Sequence, residues 1–410
     1  MSGGLSREFV KFWLGQSVSL LGNQFTQLAL PIAAAVTLHA TALDMGILGA
    51  LRFAPALLIG LPAGVWVDRT RRKPLLFWSQ CLSAAALATI PLAAVTHVLS
   101  LGQLFVVAFV GGAAFTIQGI ALTTFVPTIA GRDRLIEANT RIQLSLTVAN
   151  LVGPGLAGAA IQLLTAPIAI AFDAASFVVG AATVAWAHVT EAVPTPSRGR
   201  ALSDVVEGQA WLWRQPLVRA ITLTILLSNG GGQITFAVVV LYFVTRVGIT
   251  PAQLGLVFAV SGLSSLAGAR LTGPLVRRGW LGPVMAVGAV IFVIGGSGWL
   301  VAAYAPRAAV LPILLGFSVL VGSALMVYNV NQQAIRQAVT PDRILGRVQS
   351  GTFVLTSIAQ VSGSLIGGAI GQSFGLRTAI AVGVIVSMSA ALPSVFSPLR
   401  SLRQVPAVAV

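Results

Sequence analysis

The chain alternates between long apolar stretches and short polar segments. A helix needs about 20 mostly apolar residues to cross the hydrocarbon core of a bilayer. The pattern therefore predicts twelve transmembrane helices, at residues 12–38, 45–67, 74–96, 101–125, 143–164, 167–188, 217–245, 253–276, 281–304, 309–335, 349–373 and 376–397. We expect an all-α integral membrane protein with an N-terminal six-helix half, a central loop, a C-terminal six-helix half and a tail, at 1–188, 189–214, 215–398 and 399–410.

Composition supports lipid as the solvent of this chain. Hydrophobic residues make up 56% of the sequence and charged residues 9%, whereas a soluble domain carries about 25% charged residues. The single cysteine, Cys81, excludes an internal disulfide framework and a cysteine-ligated metal site. With three histidines and no metal-binding motif, the sequence predicts neither a metal nor a cofactor.

The net charge of +15 reflects membrane topology and not nucleic-acid binding, because the basic residues lie between the apolar stretches. If the loops alternate sides, 20 of the 25 basic residues fall on one side of the membrane. Arg246, Arg307 and Arg377 fall on the other side, and Arg52 and Arg270 lie inside helices. By the positive-inside rule, we expect the basic side and both termini to be cytoplasmic.

The two halves repeat at a constant offset of 209 residues. This offset pairs Asp133-Arg134 with Asp342-Arg343. It also pairs Gly22 with Gly231, Gln24 with Gln233, Gly46 with Gly255, Gly64 with Gly273, Arg69 with Arg278, Gly158 with Gly367, and Ile161 with Ile370. Six helices return the chain to the same side, so the repeat is parallel, as in some families of secondary transporters.

The most specific motif follows the second predicted helix. Gly64, Asp68, Arg69, Arg72 and Lys73 match the signature G-x3-D-R-x-x-R-[RK], by which the chain resembles the major facilitator superfamily. The resemblance implies a major facilitator fold with twelve transmembrane helices in two parallel, pseudo-symmetric halves. In the family this loop is a conformational latch between the halves.

The physics of the latch suggests partners for its charges. Asp68, at the membrane edge, can lie against the positive N-terminal end of a neighbouring helix. The basic residues would then pair with acids in nearby loops, and the candidates are Asp133 and Glu137. The alternative, a positive-inside anchor, accounts for the basic residues but not for Asp68. At the repeat position Arg277 replaces the acid, so we expect a one-sided latch.

A second motif lies in helix 5. Gly153, Pro154 and Gly158 resemble the G-P-x-x-G-G element of proton-coupled exporters, with Ala157 in place of one glycine. The motif predicts a kinked helix with a small-residue face where the halves meet. It favours an exporter over an importer, and generic helix packing is the alternative.

Three further stretches resemble the enterobactin-exporter-like branch of the superfamily. They are the loop 126–139, Asp173-Ala-Ala-Ser176-Phe177 in helix 6, and Arg52-Phe-Ala-Pro55 in helix 2. With the latch motif, this resemblance spans the N-terminal half. The C-terminal half matches in outline, through the repeat.

Charges inside the membrane are costly and usually functional. Asp173 is the only carboxylate well inside a predicted helix, which makes it the first candidate for proton coupling, with Asp68 the second. The alternative for Asp173 is a structural tie between helices. Arg52 is expected at a similar depth to Asp173, where the two can pair or share a network. Arg270 is expected to snorkel to the nearby surface.

In this fold helices 1, 4, 7 and 10 line the central path, and their polar residues here are mostly amides. The substrate-cavity candidates are Gln16, Asn23, Gln27, Gln118, Asn229, Gln233, Tyr328 and Gln332. The alternative for each is interhelical hydrogen bonding. A weakly polar cavity with apolar walls from Phe25, Phe115 and Phe236 suits amphipathic organic molecules.

These observations predict a bacterial cytoplasmic-membrane exporter of a small, largely apolar organic compound, such as a drug, metabolite or siderophore. It would work as a monomer, by alternating access and proton antiport, without ATP. One alternative is an importer of a small nutrient by proton symport. The other is a non-transporting membrane protein, either an enzyme or a structural partner. An enzyme is disfavoured because the three histidines are scattered at loop edges.

Overall fold

The computed structural model describes residues 5–189, 191 and 201–404, excluding the side chains of residues 61–69, 132, 201–205 and 342. Its secondary structure is helical throughout the described ranges. The α-helices are α1 (Arg7–Ile32), α2 (Ala42–Arg69), α3 (Arg72–Val95), α4 (Leu101–Ala130), α5 (Leu135–Leu164), α6 (Ala166–Trp186), α7 (Ala201–Arg214), α8 (Pro216–Leu241), α9 (Pro251–Arg277), α10 (Leu281–Gly296), α11 (Gly298–Tyr304), α12 (Arg307–Val339), α13 (Asp342–Phe374), α14 (Leu376–Ser389) and α15 (Ala391–Val395). Two π-helical turns, Ala33–Thr37 and Tyr242–Val247, extend α1 and α8.

Within the described residues, 11 helical segments are long and apolar enough to cross a membrane. Two of these spans are broken helices: α10 with α11 forms Leu281–Tyr304, and α14 with α15 forms Leu376–Val395. Of the twelve predicted spans, the one that is not among these 11 segments is α1. It has 26 residues but is more polar than the others, because it carries several amides and serines. The predicted all-helical membrane fold is therefore confirmed.

Several helices are longer than the sequence pattern predicts. The boundary at 143 is wrong, because α5 begins at Leu135, and the boundary at 349 is wrong, because α13 begins at Asp342. Both extensions carry charged residues, which is why the sequence pattern assigned them to loops. A helix satisfies its own backbone hydrogen bonds, so it can continue past the apolar core into a polar region.

The chain forms two compact units. Unit 1 comprises Met1–Ala40, Leu51–Arg198 and Thr250–Gly255, and unit 2 comprises Thr41–Ala50, Gly199–Ile249 and Leu256–Val410. In unit 1, α1 packs on α5 and α6, and α3 packs on α4 and α6. In unit 2, α8 packs on α13 and α14, and α10 packs on α12. The internal repeat is thus expressed as the same order of helix packing in each unit.

The repeat extends to the way two helices begin. In a capping box, the first residue and the residue three positions later satisfy each other's backbone N–H groups. The Thr41 N–H donates to Asp44 Oδ2 (2.9 Å) and the Asp44 N–H donates to Thr41 Oγ1 (3.2 Å). Thr250 and Gln253, one offset of 209 residues later, make the same pair of bonds at 3.0 and 3.2 Å.

The central segment is not simply a loop. Residues 189–214 were expected to be polar connecting chain, but Ala201–Arg214 forms α7. Its Leu212 is fully buried and packs with Val218, Ile344 and Val348. The side chain of Glu207 forms ion pairs with Arg347 and Arg343 of α13. One apolar face and one charged face therefore fix this helix on the beginning of α13.

Candidate transport and coupling site

Asp173 lies on α6 at its contact with α1. Its side chain is fully buried. The Ser176 hydroxyl donates to Asp173 Oδ1 (3.1 Å) and to the Asp173 backbone oxygen (2.8 Å). On α1, Gly22 faces this pair so closely that a Cβ there would lie 2.1 Å from Ser176 Oγ and 2.8 Å from Asp173 Oδ1. The absence of a side chain at Gly22 therefore gives the carboxyl group its place between the helices.

The Thr26 hydroxyl on α1 lies close enough to the Asp173 carboxyl group to interact with it. Thr26 Oγ1 and Asp173 Oδ2 are both buried, and neither forms a hydrogen bond of good geometry within the described part of the chain. Buried polar atoms without partners are rare and call for an explanation. Arg52 is close enough for an electrostatic interaction with Asp173. Its guanidinium carbon lies 5.8 Å from the centroid of the Phe53 ring.

A polar seam, which sequence reasoning missed, joins α1 to α5. Gln24 Nε2 donates to Asn150 Oδ1 (2.8 Å), and the hydroxyls of Ser17 and Ser145 are 2.7 Å apart. Trp13 Nε1 donates to Ser145 Oγ (2.9 Å). The spacing of Trp13, Ser17 and Gln24 by four and seven residues was the available signal, because it places all three on one helical face.

The helix 5 motif supplies close helix contacts within unit 1. A Cβ on Gly153 would lie 2.4 Å from Gln24 Cγ. A Cβ on Gly158 would lie 2.6 Å from the Pro251 backbone oxygen and 3.0 Å from Gly255 Cα. Pro154 lies inside α5, between these two contacts. These two glycines therefore let α5 pack closely on α1 and on the beginning of α9.

The other amides of unit 1 differ in exposure. Gln16 and Asn23 are half-buried on α1, and Gln27 is exposed. Gln118 on α4 donates through Nε2 to Ser83 Oγ on α3 (3.3 Å). That bond favours the interhelical alternative for Gln118, whereas Gln27 keeps its polar end available.

The amides of unit 2 are mostly engaged within the unit. Asn229 accepts from Gln360 Nε2 on α13 (3.2 Å), and a Cβ on Gly363 would lie 3.2 Å from Gln233 Cβ. Tyr328 is buried, and its hydroxyl accepts from Ser394 (3.2 Å). Gln332 is buried too, and its Oε1 has no partner among the described residues. Packing accounts for Tyr328, and Gln332 is the buried amide that packing leaves unexplained.

A model of the Major Facilitator Superfamily matches residues 12–306 and 221–408, which together cover nearly the whole chain. The chain belongs to the Major Facilitator Superfamily. It is therefore a multi-pass membrane protein and a secondary transporter of small molecules, and not an enzyme.

Relatives and solved structures agree with this family. The multidrug efflux pump Tap of Mycolicibacterium fortuitum is 25% identical over 392 residues, covering 93% of this chain and 93% of that protein. The enterobactin exporter EntS of Citrobacter koseri is 25% identical over 420 residues, covering 98% of this chain and 94% of that protein. The crystal structure of the nucleoside transporter NupG superposes with a TM-score of 0.73 at 13% identity, covering 95% of this chain and 98% of that chain. This last likeness shows the fold alone.

The latch motif of this Major Facilitator Superfamily member is described in part. The side chains of Gly64, Asp68 and Arg69 lie outside the described residues. At the start of α3, the backbone N–H groups of Arg72 and Lys73 donate to the two carboxylate oxygens of Glu191, at 2.6 and 2.7 Å. Glu191 follows α6 and lies 118 residues beyond Lys73 at the start of α3, so sequence reasoning did not single it out.

One of the two expected acid partners of the latch, Glu137, forms its ion pairs close to its own helix. Glu137 does not pair with the latch residues that the structure describes. It pairs with Arg141 (3.1 Å) and Arg134 (3.7 Å) around the first turn of its own helix, α5. Residues three and four positions apart on a helix are neighbours, so these local arginines reach Glu137 first.

Arg270 lies on α9, about two turns before the helix ends at Arg277. It is exposed. A long side chain at this position can extend along the helix towards the polar surface, so snorkelling stays the interpretation of Arg270.

Proposed function

We propose that this transporter exports a small, largely apolar organic compound by alternating access, driven by proton antiport. It would act as a monomer in a bacterial cytoplasmic membrane, with both termini in the cytoplasm. The observation that carries the proposal is the fully buried Asp173 carboxyl group, which faces the Thr26 hydroxyl of α1. The names of the relatives Tap and EntS support export, since each is matched over most of its length.

The chemistry of Asp173 suits reversible proton binding. An ionised carboxylate in an apolar interior costs several kcal/mol unless it is paired, so the group needs either a proton or a compensating charge. Arg52 supplies a positive charge within electrostatic range. Thr26 offers a hydroxyl on α1, without another partner among the described residues, that can bond to either form of the carboxyl group. Gain and loss of the proton would therefore change the contact between α6 and α1.

The low polarity of the predicted path supports an apolar substrate. On α4, Phe115 is 60% exposed, whereas the nearby Gln118 amide is already bonded to Ser83. Phe25 on α1 packs against Phe172 of α6, with ring centroids 5.4 Å apart, next to Asp173. An apolar compound bound against these rings would change the surroundings of the Asp173 carboxyl group without forming an ionic contact with it.

The proposal is tested in inside-out vesicles that hold a standing pH gradient and receive a panel of hydrophobic compounds. We expect a compound-dependent collapse of the gradient that is lost in Asp173→Asn. Asp44→Asn is the matched control, because Asp44 is a carboxylate that caps a helix and should leave coupling intact. Folding of each variant is checked by its elution from a size-exclusion column.

Other outcomes redirect the assignment. Collapse that survives in Asp173→Asn but disappears in Asp68→Asn would move coupling to the latch aspartate. Proton uptake driven by compound only in right-side-out vesicles would favour the importer alternative. A folded protein that responds to no compound in either orientation contradicts the proposed substrate class.

A further inference from the structure

Three arginines meet in one pocket at the sparsely charged end of unit 2. Arg246, Arg307 and Arg377 all line this pocket, whose volume is about 650 Å³. They come from separate parts of the chain: the π-helical turn after α8, the first residue of α12 and the second residue of α14. They are also the three basic residues that the alternation of loops assigns to the side opposite the cytoplasm.

Two of these arginines are positioned by specific contacts. Arg377 Nε donates to the Tyr242 hydroxyl (2.7 Å), which in turn donates to the Ala303 backbone oxygen (2.9 Å). The Arg377 guanidinium carbon also lies 5.0 Å from the centroid of the Tyr304 ring. Arg307 lies over Gly248, where a Cβ would be 2.4 Å from Arg307 Nη2. Arg377 is therefore held by aromatic side chains, and Arg307 occupies the space that Gly248 leaves free.

No acidic residue lines this pocket among the residues that the structure describes. Asp44, the acid at the start of α2, already accepts from the Thr41 N–H (2.9 Å) and the Thr41 hydroxyl (2.8 Å). The first turns of α12 and α14 contain no acid, and their N-cap residues, Pro306 and Gly375, provide no side-chain cap. Two helix N-termini thus add partial positive charge to three guanidinium groups.

The equivalent region of unit 1 shows whether the fold itself requires the three arginines. At the equivalent places of unit 1, the fifth residue of the π-helical turn, the first residue of α4 and the second residue of α6 are Thr37, Leu101 and Pro167. The same corner of unit 1 has its own π-helical turn, Ala33–Thr37. It also has the same backbone conformation before the last helix, with φ of 93° at both Thr165 and Gly375. Since the neutral corner adopts this geometry, the fold does not require the arginines.

We propose that this pocket binds a phosphate group, supplied by the headgroup of an anionic phospholipid. Guanidinium groups form paired, charge-assisted hydrogen bonds with phosphate oxygens. Tyr304 and Phe374, at the ends of two spans, are 65% and 74% exposed. Aromatic residues of this kind mark the headgroup level of the bilayer. In the predicted orientation the lipid belongs to the outer leaflet, and the proposal is independent of the exported compound.

The test measures lipid binding to the full-length protein purified in a neutral detergent. Its thermal unfolding is followed with added phosphatidylglycerol, phosphatidylcholine or inorganic phosphate. We expect phosphatidylglycerol to raise the unfolding temperature by several degrees beyond phosphatidylcholine. That difference is lost when Arg246, Arg307 and Arg377 are all replaced by Gln. It is retained in Arg400→Gln/Arg403→Gln, a matched control with exposed arginines in the C-terminal segment.

Other outcomes also decide the proposal. Equal shifts with both lipids, or an unchanged preference in the triple variant, overturn the site. A shift with inorganic phosphate that phosphatidylglycerol does not exceed overturns the lipid as its source. If the triple variant does not fold, native mass spectrometry of the wild type and Arg307→Gln decides. Equal retention of phosphatidylglycerol by both then overturns the site, and reduced retention by Arg307→Gln supports it.

Discussion

The side-chain carboxylate of Glu191 accepts a hydrogen bond from the backbone N–H of Lys73, at 2.7 Å. The same carboxylate accepts from the N–H of Arg72 at 2.6 Å. The first N–H groups of a helix have no partner inside that helix, and Arg71, the N-cap residue of α3, provides no side-chain cap. A residue distant in sequence therefore caps α3 and ties the segment after α6 to the latch loop.

Replacement of Glu191 should destabilise this connection. We expect Glu191→Ala to lower the free energy of unfolding by about 1–2 kcal/mol, because two charge-assisted bonds at a helix start are lost. Glu191→Gln keeps one acceptor oxygen and should cost less. Thermal unfolding of the purified variants provides the measurement. Glu137→Ala is the control, since its partially exposed pairs within α5 are worth well under about 1 kcal/mol, and equal losses in the two alanine variants would contradict the capping role.

The contact between α1 and α6 should not accept a methyl group at Gly22. A Cβ there would lie 2.1 Å from Ser176 Oγ and 2.8 Å from Asp173 Oδ1, so Gly22→Ala must displace the Ser176 hydroxyl and the Asp173 carboxyl group. We expect a loss of roughly 1–3 kcal/mol in unfolding free energy, typical of overpacking, together with loss of gradient collapse in vesicles. Gly119→Ala on α4 is the matched control, because nothing lies within 4 Å of its Cβ position. If Gly22→Ala is as stable and active as Gly119→Ala, the tight α1–α6 contact is not needed.

The parts of this structure that the sequence predicted are those with a periodic or local signal. The apolar spans depend on residues close together in the chain, and the repeat appears as matching residues at a constant offset. The partner of Arg72 and Lys73 was missed, because Glu191 lies 118 residues beyond Lys73. The amide of Gln118 was expected in the cavity, and its bond to Ser83 depends on the rotation of α4 against α3, which periodicity does not give.

The helix in the central segment shows a second reason for a missed element. A short amphipathic helix outside the membrane has neither the length nor the hydropathy of a span, so α7 resembled a polar loop. Its position depends on Leu212 being covered by Val218, Ile344 and Val348, which only the folded chain brings together. The candidate site also contains contacts that the sequence does not show. Asp173 was predicted as a lone intramembrane acid, whereas its neighbours Gly22 and Thr26 on α1 were not predicted.

The attachment of α7 should depend more on its buried leucine than on its ion pairs. Leu212 is fully buried, and Leu212→Ala should cost about 2–5 kcal/mol of local stability. Glu207 is 44% exposed in its pairs with Arg343 and Arg347, so Glu207→Gln should cost at most about 1 kcal/mol. Hydrogen exchange of the amides of α7 measures both variants. Faster exchange in Glu207→Gln than in Leu212→Ala would show that charge, not burial, holds the helix.

Replacing two glutamines on α1 should distinguish a structural side chain, Gln24, from a candidate substrate contact, Gln27. Gln24 donates to Asn150 (2.8 Å), so Gln24→Ala should lower the unfolding free energy by about 0.6 kcal/mol, the typical value of an interhelical hydrogen bond in membranes. Gln27 is exposed and has no hydrogen-bond partner in the described part of the chain, so Gln27→Ala should leave stability unchanged. If Gln27 faces the substrate path, its replacement raises the KM of compound-driven proton movement, whereas Gln24→Ala leaves the KM unchanged. Gln27→Asn is the control, because it keeps an amide on a shorter side chain and should restore part of the affinity. An unchanged KM in Gln27→Ala would place this residue against lipid and remove it from the cavity.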